Sequence, residues 1–248
     1  CWQHKYRYRW GTLGDRIAVH NQVLGCMIVD DIESIPPARL ADWHDRYYLV
    51  PPDYPQRHPD THRYFTVASF PRDQQDYIYD LDRLARLDDL GAPRQRTYLR
   101  QFSRNFSGVE LRELDAGDRG QCDDLYRRWL TGKPTVESPD WEHAAFQTAW
   151  DRFDSLGLAG LGLYCDEAMA AFLLYDPLTP RTLVGHFAKS DYAVRSSGTA
   201  LLWLAARDLR ERFDYLNFAQ DIGMPGLRRY KQSLQPLAVT GFLKLVRH

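Results

Sequence analysis

The sequence predicts an α+β protein built from mixed, mostly antiparallel sheet flanked by helices. Three observations predict it. Short alternating strands with glycine turns open the chain, strands interleave with amphipathic helices from Val109 onward, and a basic stretch of helical period stands between the two regions.

In order, residues 6–10, 16–20 and 23–29 read as strands, with Gly11, Gly14 and Gly25 at their turns. A helix over 37–48 opens on prolines and carries Leu40, Trp43 and Tyr47 on one face. A proline-rich loop over 51–59 follows, then a strand over 64–69 and a helix from about Asp73, with Leu81, Leu84 and Leu87 as its apolar stripe. Residues 93–106 read as a connecting helix whose inner edge is Leu99 and Phe102. Along one side Arg96, Arg100 and Arg104 repeat every fourth residue, a self-repelling row that fits an anionic partner or a solvated face paired with nearby acids.

Beyond it the pattern gives a strand (109–114), helices over 118–130 and 141–156, and a strand pair (158–165, 168–175) about the turn Asp166-Glu167. A longer strand (182–189), a strongly amphipathic helix (199–213), a strand (215–218), a helix (225–234) and a final strand (239–246) complete it.

Bulk properties narrow the partners. With 248 residues, 44% hydrophobic and 26% charged, the chain has the make-up of an ordinary globular protein. No apolar run approaches the ~20 residues that cross a bilayer, and no signal-peptide pattern opens the chain. A chain beginning on Cys1 rather than Met is expected to continue a longer product. Cys1, Cys26, Cys122 and Cys165 lie far apart with no CxxC pair, which suits reduced thiols and a cytoplasmic location. No metal site is expected, because the prolines around His58 and His62 forbid the helix that would aim both rings at one ion. The net charge of −1 predicts no general affinity for nucleic acid, yet residues 181–248 hold eleven Lys/Arg against five Asp/Glu. That segregation favours an anionic ligand held locally.

Two stretches could hold such an anion. NFAQDIGMPGLRRYKQSLQP, from Asn217, gathers Asp221, Gly223, Gly226, Arg228, Arg229 and Lys231 into one turn and helix after an apolar strand-like run. Arg195-Ser-Ser-Gly198-Thr-Ala200 lies between the long strand and its helix, where small residues and open backbone N–H groups suit phosphate. Ser196, Ser197 and Thr199 serve equally as helix-capping residues there.

The element order after Val109 resembles the Gcn5-related N-acetyltransferase fold, and the Arg195 loop is similar to the loop with which that superfamily cradles the pyrophosphate of coenzyme A. YIYDLDRLARLDDLGAPRQRTYLRQF, LNFAQDIGMPGLRRYKQSLQP and the opening WQHKYRYRWGTLGDRIAV together resemble the phosphatidylglycerol lysyltransferase C-terminal domain family over nearly the whole chain. The resemblance implies two acetyltransferase-like domains in tandem: a degenerate one over 1–92, a basic linker helix over 93–108, and a domain over 109–248 that carries the site. It also implies an acyltransferase, one moving an aminoacyl group from aminoacyl-tRNA to an amine or hydroxyl of a small-molecule, lipid or peptide acceptor, with no tightly bound cofactor. The Arg195 loop keeps acyl-coenzyme A as an alternative donor.

Carried over residue by residue, Asp221, Arg228, Lys231 and Lys244 stand at polar positions important for transfer, and Arg94, Arg96 and Arg100 stand on the basic helix as tRNA contacts. Arg195, Gly198, Arg228, Lys231 and Lys244 would hold the donor's phosphate. Asp221, or at one remove His186, would act as base, and Tyr230 would protonate the leaving group. A backbone N–H of strand 182–189 would meet the oxyanion. Each has a plainer reading: Asp221 as ion-pair partner of Arg228, His186 and Tyr230 as packing residues, Lys244 as a sheet-edge cap. Two other classes stay open, a non-catalytic phosphate-ligand binding module and a structural partner using Trp2, Tyr6, Tyr8 and Trp10 as an interface.

Overall fold

A computed structural model of the chain describes residues 6–87, 93–132 and 140–248; Cys1, Trp2 and the expected boundary at 92 lie outside the described residues. The elements run β1 (Tyr8–Leu13), β2 (Arg16–Asn21), β3 (Cys26–Val29), α1 (Pro37–Trp43), β4 (Arg46–Val50), α2 (Tyr54–Arg57), β5 (Phe65–Ser69), β6 (Asp76–Asp80), α3 (Leu81–Ala85) and α4 (Pro93–Asn105). They continue with β7 (Val109–Leu114), α5 (Arg119–Thr131), α6 (Asp140–Asp151), β8 (Ala159–Cys165), β9 (Ala168–Thr179) and β10 (Thr182–Ser190). The last are α7 (Ser197–Leu209), β11 (Tyr215–Asn217), α8 (Pro225–Ser233), β12 (Ala238–Thr240) and β13 (Leu243–Arg247). The fold is α+β, with two mixed sheets flanked by helices.

The chain divides into two compact units: residues up to Gln75 together with Thr240–His248, and Asp76–Val239. The division therefore falls elsewhere than the expected 92 and 108. β6 pairs antiparallel with β11, so the segment before the basic helix belongs to the second unit. The basic helix α4 lies wholly inside that unit and buries Gln95, Leu99 and Phe102. It is thus an element of that unit, not a connector between two.

In the first unit the sheet order is β1-β2-β3-β4-β13-β5. The expected helix over 37–48 stops at Trp43, where the His44 N–H closes it on the Leu40 carbonyl. Residues 46–50 instead extend between β3 and β13. Tyr47 and Val50 are then fully buried, and the Tyr47 hydroxyl donates to Leu40 O at 2.7 Å. Apolar alternation in Tyr47–Val50 fits a strand as well as a helix face, and only the distant partner β13 decides between them. The single strand expected over 239–246 is two, β12 in the second unit's sheet and β13 in the first. The helix expected from Asp73 begins later: β6 comes first, and Asp80 caps α3 by accepting the Arg83 N–H at 2.9 Å.

The second unit's sheet runs β12-β6-β11-β10-β9-β8-β7. Its core gathers the inner face of α7 (Leu201, Leu202, Ala205, Leu209), the α4 residues Leu99 and Phe102, and sheet residues such as Leu173 and Leu183. Among the described residues no helix is long and apolar enough to cross a membrane.

Candidate active site

β10 and β11 run parallel but pair only over Thr182–Val184 against Tyr215–Asn217. β11 ends there while β10 continues to Ser190, so the two strands part at their carboxyl ends. Such a parting in a sheet with parallel strands is where ligands enter. A register shift at His186 reverses the alternation of β10: Leu183 packs in the core beside α7, whereas Phe187 meets Phe146 of α6. His186 itself lies 2.9 Å from Asp176 Oδ1 through Nε2, a carboxylate-paired ring on the β9–β10 hairpin.

The chain leaving β10 turns into α7 where the cradle is expected. Arg195 is exposed, Ser196 adopts a left-handed backbone (φ 70°), and α7 starts immediately after. A Cβ on Gly198 would lie 3.1 Å from Ser190 Oγ and 3.7 Å from the Tyr230 hydroxyl, so the first turn of α7 faces that phenol. Burial pushes the pKa of the Tyr230 phenol well up, with Thr199 acting in the opposite direction. Thr199 donates to Gln95 Oε1 (3.4 Å), and Gln95 Nε2 donates to Ser233 Oγ (2.5 Å). The structure thus brings together Tyr230, Gly198 and the beginning of the arginine helix.

The end of α5 pins the cradle from the other side. Arg128 pairs with Asp191 at 2.8 Å, and Gly132 lets the Tyr192 ring approach where a Cβ would stand 2.6 Å from it. Beneath, buried Lys189 donates to Glu142 at 2.7 Å and lies 3.9 Å from the centre of the Trp129 ring.

The loop leaving β11 is held by buried charge. Asp221, 0% exposed, accepts Arg228 Nε and a second guanidinium N–H at 2.8 and 2.9 Å, the Tyr77 hydroxyl at 2.7 Å and the Gly223 N–H at 3.0 Å. The Arg228 guanidinium, against burial and aided by Tyr77 and Gly223, holds this carboxyl well below the usual range. Of its two expected roles Asp221 takes the ion pair, since those four donors occupy its lone pairs. Arg228, expected at phosphate, is committed to Asp221. Lys231, expected there too, is only 4% exposed and donates to the carbonyls of Phe218, Ala219 (3.2 Å) and Gln220 (2.8 Å). Burial lowers its pKa to about 8. Lys244 belongs to the first unit, on β13, its ammonium 5.0 and 4.7 Å from the ring centres of Tyr48 and Phe70. Gly226 faces open space in the first turn of α8.

This loop is strained. Ala219 (φ 52°), Ile222 (φ 47°) and Gly223 (φ 75°) are all left-handed, and Ile222 is β-branched yet 58% exposed. Ile222→Gly is therefore expected to stabilise the second unit by up to about 1 kcal/mol, raising its melting temperature by roughly 2–4 °C. A fall on thermal melting would mean that the Ile222 side chain contributes more than its backbone costs.

Arg96, Arg100 and Arg104 form the expected row on one flank of α4, while Arg94 stacks on Tyr98 and donates to its hydroxyl at 2.8 Å. No ion pair among the described residues joins these four arginines to a carboxylate, whereas Arg86, Arg112, Arg119 and Arg127 each have one. Gln95 and Tyr77 escaped the sequence reading. Gln95 carried a signal, an amide at i, i+4, i+7 with Leu99 and Phe102 on the apolar face, which implies a buried partner. Tyr77 shows only as alternation in Tyr77-Ile-Tyr79.

A parted parallel strand pair, a helix that starts beside it and a phenol facing that helix's first turn mark the candidate site of this α+β fold. The chain belongs to the phosphatidylglycerol lysyltransferase C-terminal family, whose family model matches residues 37–243. Among solved structures, a conserved protein of unknown function from Bacteroides thetaiotaomicron VPI-5482 is similar at 20% identity and TM-score 0.86, covering 100% of this chain and 88% of that one. The C-terminal domain of a putative lysylphosphatidylglycerol synthetase from Agrobacterium fabrum aligns at 12% identity and TM-score 0.64 (100% and 86% covered). FemX aligns at 9% identity and TM-score 0.68 (100% and 90% covered). No curated protein matches the chain.

Proposed function

We propose that the second unit transfers an aminoacyl group from aminoacyl-tRNA to a hydroxyl or amine acceptor, with the hydroxyl of an anionic lipid head group favoured by the family's name. One observation carries the choice of donor. The arginine helix starts at the cradle, because Gln95 touches Thr199 in the first turn of α7 while Arg94 and Arg96 flank Gln95. From Arg94 to Arg104 the row extends about 15 Å at ~1.5 Å per residue. That length suits the successive phosphates of a nucleic acid, and among the described residues no carboxylate pairs with these arginines.

In this reading the acceptor's lone pair attacks the ester carbonyl carbon beside β10, and the bond from that carbon to the terminal ribose oxygen breaks. Tyr230 gives its proton to the departing ribose oxygen, and the acceptor's proton restores the phenol. Asp221, Arg228 and Lys231 hold the wall of the site and leave the proton transfers to others. Arg195 and the N–H groups at the start of α7 receive the donor's terminal phosphate.

The Arg195 loop itself supports a second reading, acyl-coenzyme A as donor, because Gly198 leaves room beside the Tyr230 hydroxyl. Salt separates the two. Binding of aminoacyl-tRNA is expected to weaken steeply between 50 and 200 mM salt in fluorescence anisotropy, and Arg96→Ala and Arg100→Ala each to lower the log–log slope by about 1. A shallow slope with thermal protection by a coenzyme A thioester would replace the first reading by the second.

A further inference from the structure

The loop that follows β11 ties itself to β6 and α8 rather than to β10. Asn217 Nδ2 and Gln220 Nε2 donate to the two oxygens of Asp76 at 2.9 and 2.8 Å. The Phe218 N–H donates to the Tyr77 carbonyl at 2.9 Å, and the Tyr77 N–H donates to the Ala219 carbonyl at 3.1 Å. The backbone thus stays with β6 after its pairing with β10 has ended. The carbonyls of Phe218, Ala219 and Gln220 then converge on one atom, Lys231 Nζ. Consecutive carbonyls of an extended strand point to alternate sides. The left-handed Ala219 (φ 52°) breaks that alternation and lets three in a row face one point. Backbone carbonyls gathered in this way are ligands for a monovalent cation, and an ammonium has three N–H donors to match them.

We propose that these carbonyls form a monovalent-cation site whose resident cation is the Lys231 ammonium, and that this tethered cation keeps β11 parted from β10 at the mouth of the candidate site. Lys231 is a positioning residue in this role, since it acts through the loop. The inference rests on the aminoacyl-transfer reading only for what enters the opening.

The pairing pattern gives the cation its purpose. Were β11 to continue parallel to β10, its carbonyls would accept N–H groups of β10 beyond Val184, the last paired residue. Lys231 takes those carbonyls instead. Phe218, whose carbonyl is one of the three, sets its ring against Gly185, where an added Cβ would meet the ring at 3.1 Å. The ring therefore stands where the two strands begin to part.

The surroundings hold the ammonium in place. Lys231 is 4% exposed, so carbonyls left here without a donor would be costly. Asp76 from β6 and Asp221 from the loop favour the charge, and a pKa lowered by burial to about 8 still leaves the group charged at neutral pH. The rings of Tyr77 and Phe218 have their centres 5.5 and 4.8 Å from Nζ. The Lys231 backbone is fixed as well, its carbonyl accepting the Tyr79 hydroxyl at 2.8 Å.

The tests use the full chain. In the natural protein labelled with 15N-lysine, one ammonium resonance should stay slow to exchange with water at neutral pH and vanish in Lys231→Arg. Lys231→Ala removes the tethered cation and leaves the carbonyls, so it should melt about 5 °C below the natural chain. Ethylammonium chloride at about 100 mM should return at least half of that loss, whereas tetramethylammonium chloride, which has no N–H, should return none. Lys231→Met fills the space without a donor and should gain from neither salt. In that variant the freed carbonyls should turn to β10 and slow hydrogen exchange of the amides of 185–188 by about tenfold.

A freely exchanging ammonium, equal melting of Lys231→Ala in the two salts, or unchanged exchange along β10 in Lys231→Met overturns the proposal. Should neither variant fold, the resonance of the natural chain decides it. If these responses hold while the natural chain transfers nothing from lysyl-tRNA to phosphatidylglycerol vesicles, the cation site stands and the functional reading falls.

Discussion

Replacing Tyr230 by Phe is expected to lower the rate of aminoacyl transfer by about 100-fold while leaving the affinity for aminoacyl-tRNA within twofold. The phenol is the only expected proton donor that faces the start of α7, with Gly198, Ser190 and Thr199 around it. Removing one oxygen leaves the ring's packing against the second unit's core in place, so binding and fold should survive. A single-turnover measurement of tRNA release against anisotropy binding separates the two effects. If release keeps its rate, the leaving oxygen takes its proton from water or from the acceptor, and Tyr230 returns to a packing role.

The second large effect belongs to Asp221. Asp221→Ala leaves Arg228 without its bidentate partner, and the Tyr77 hydroxyl and Gly223 N–H without their acceptor. Breaking a buried pair from one side costs about 3–5 kcal/mol, and the partial exposure of Arg228 places the loss at about 3 kcal/mol. A lower urea midpoint with unchanged slope would record it; a loss below about 1 kcal/mol would show that water replaces the carboxylate at little cost. Acid should act in the same direction. Because the folded carboxyl titrates below the unfolded value of ~3.9, its contribution is complete above that pH. It then fades as pH falls below about 4, where the unfolded chain takes up the proton first. The variant should lack that part of the acid sensitivity.

These two residues also show what the sequence could and could not disclose. The α+β class, the turn from β10 into α7 and the arginine row were legible, because strand alternation, helical period and glycine position are local properties of the chain. Asp221 was legible as a residue but ambiguous in role, since seven residues of spacing to Arg228 suit an ion pair and a catalytic acid–base group equally. Lys231 was misplaced because a basic residue on a basic helix looks exposed, and only the three carbonyls of the β11 loop turn it inward. Tyr47 was placed in a helix because its strand partner Leu245 lies nearly two hundred residues on. Gln95 shows the same limit: its amide acquires meaning only from Thr199 and Ser233, both more than a hundred positions away.

The return of β13 to the amino-terminal sheet makes the second unit, in topological terms, an insertion between two neighbouring strands of the first. No one proteolytic cut can release both units whole, and a fragment starting at Val109 would lose β6 and α4 while carrying β13 as an orphan strand. On the ribosome the inserted body has its full sequence before the outer sheet receives its last strand. Completion of the amino-terminal sheet must therefore wait for β13.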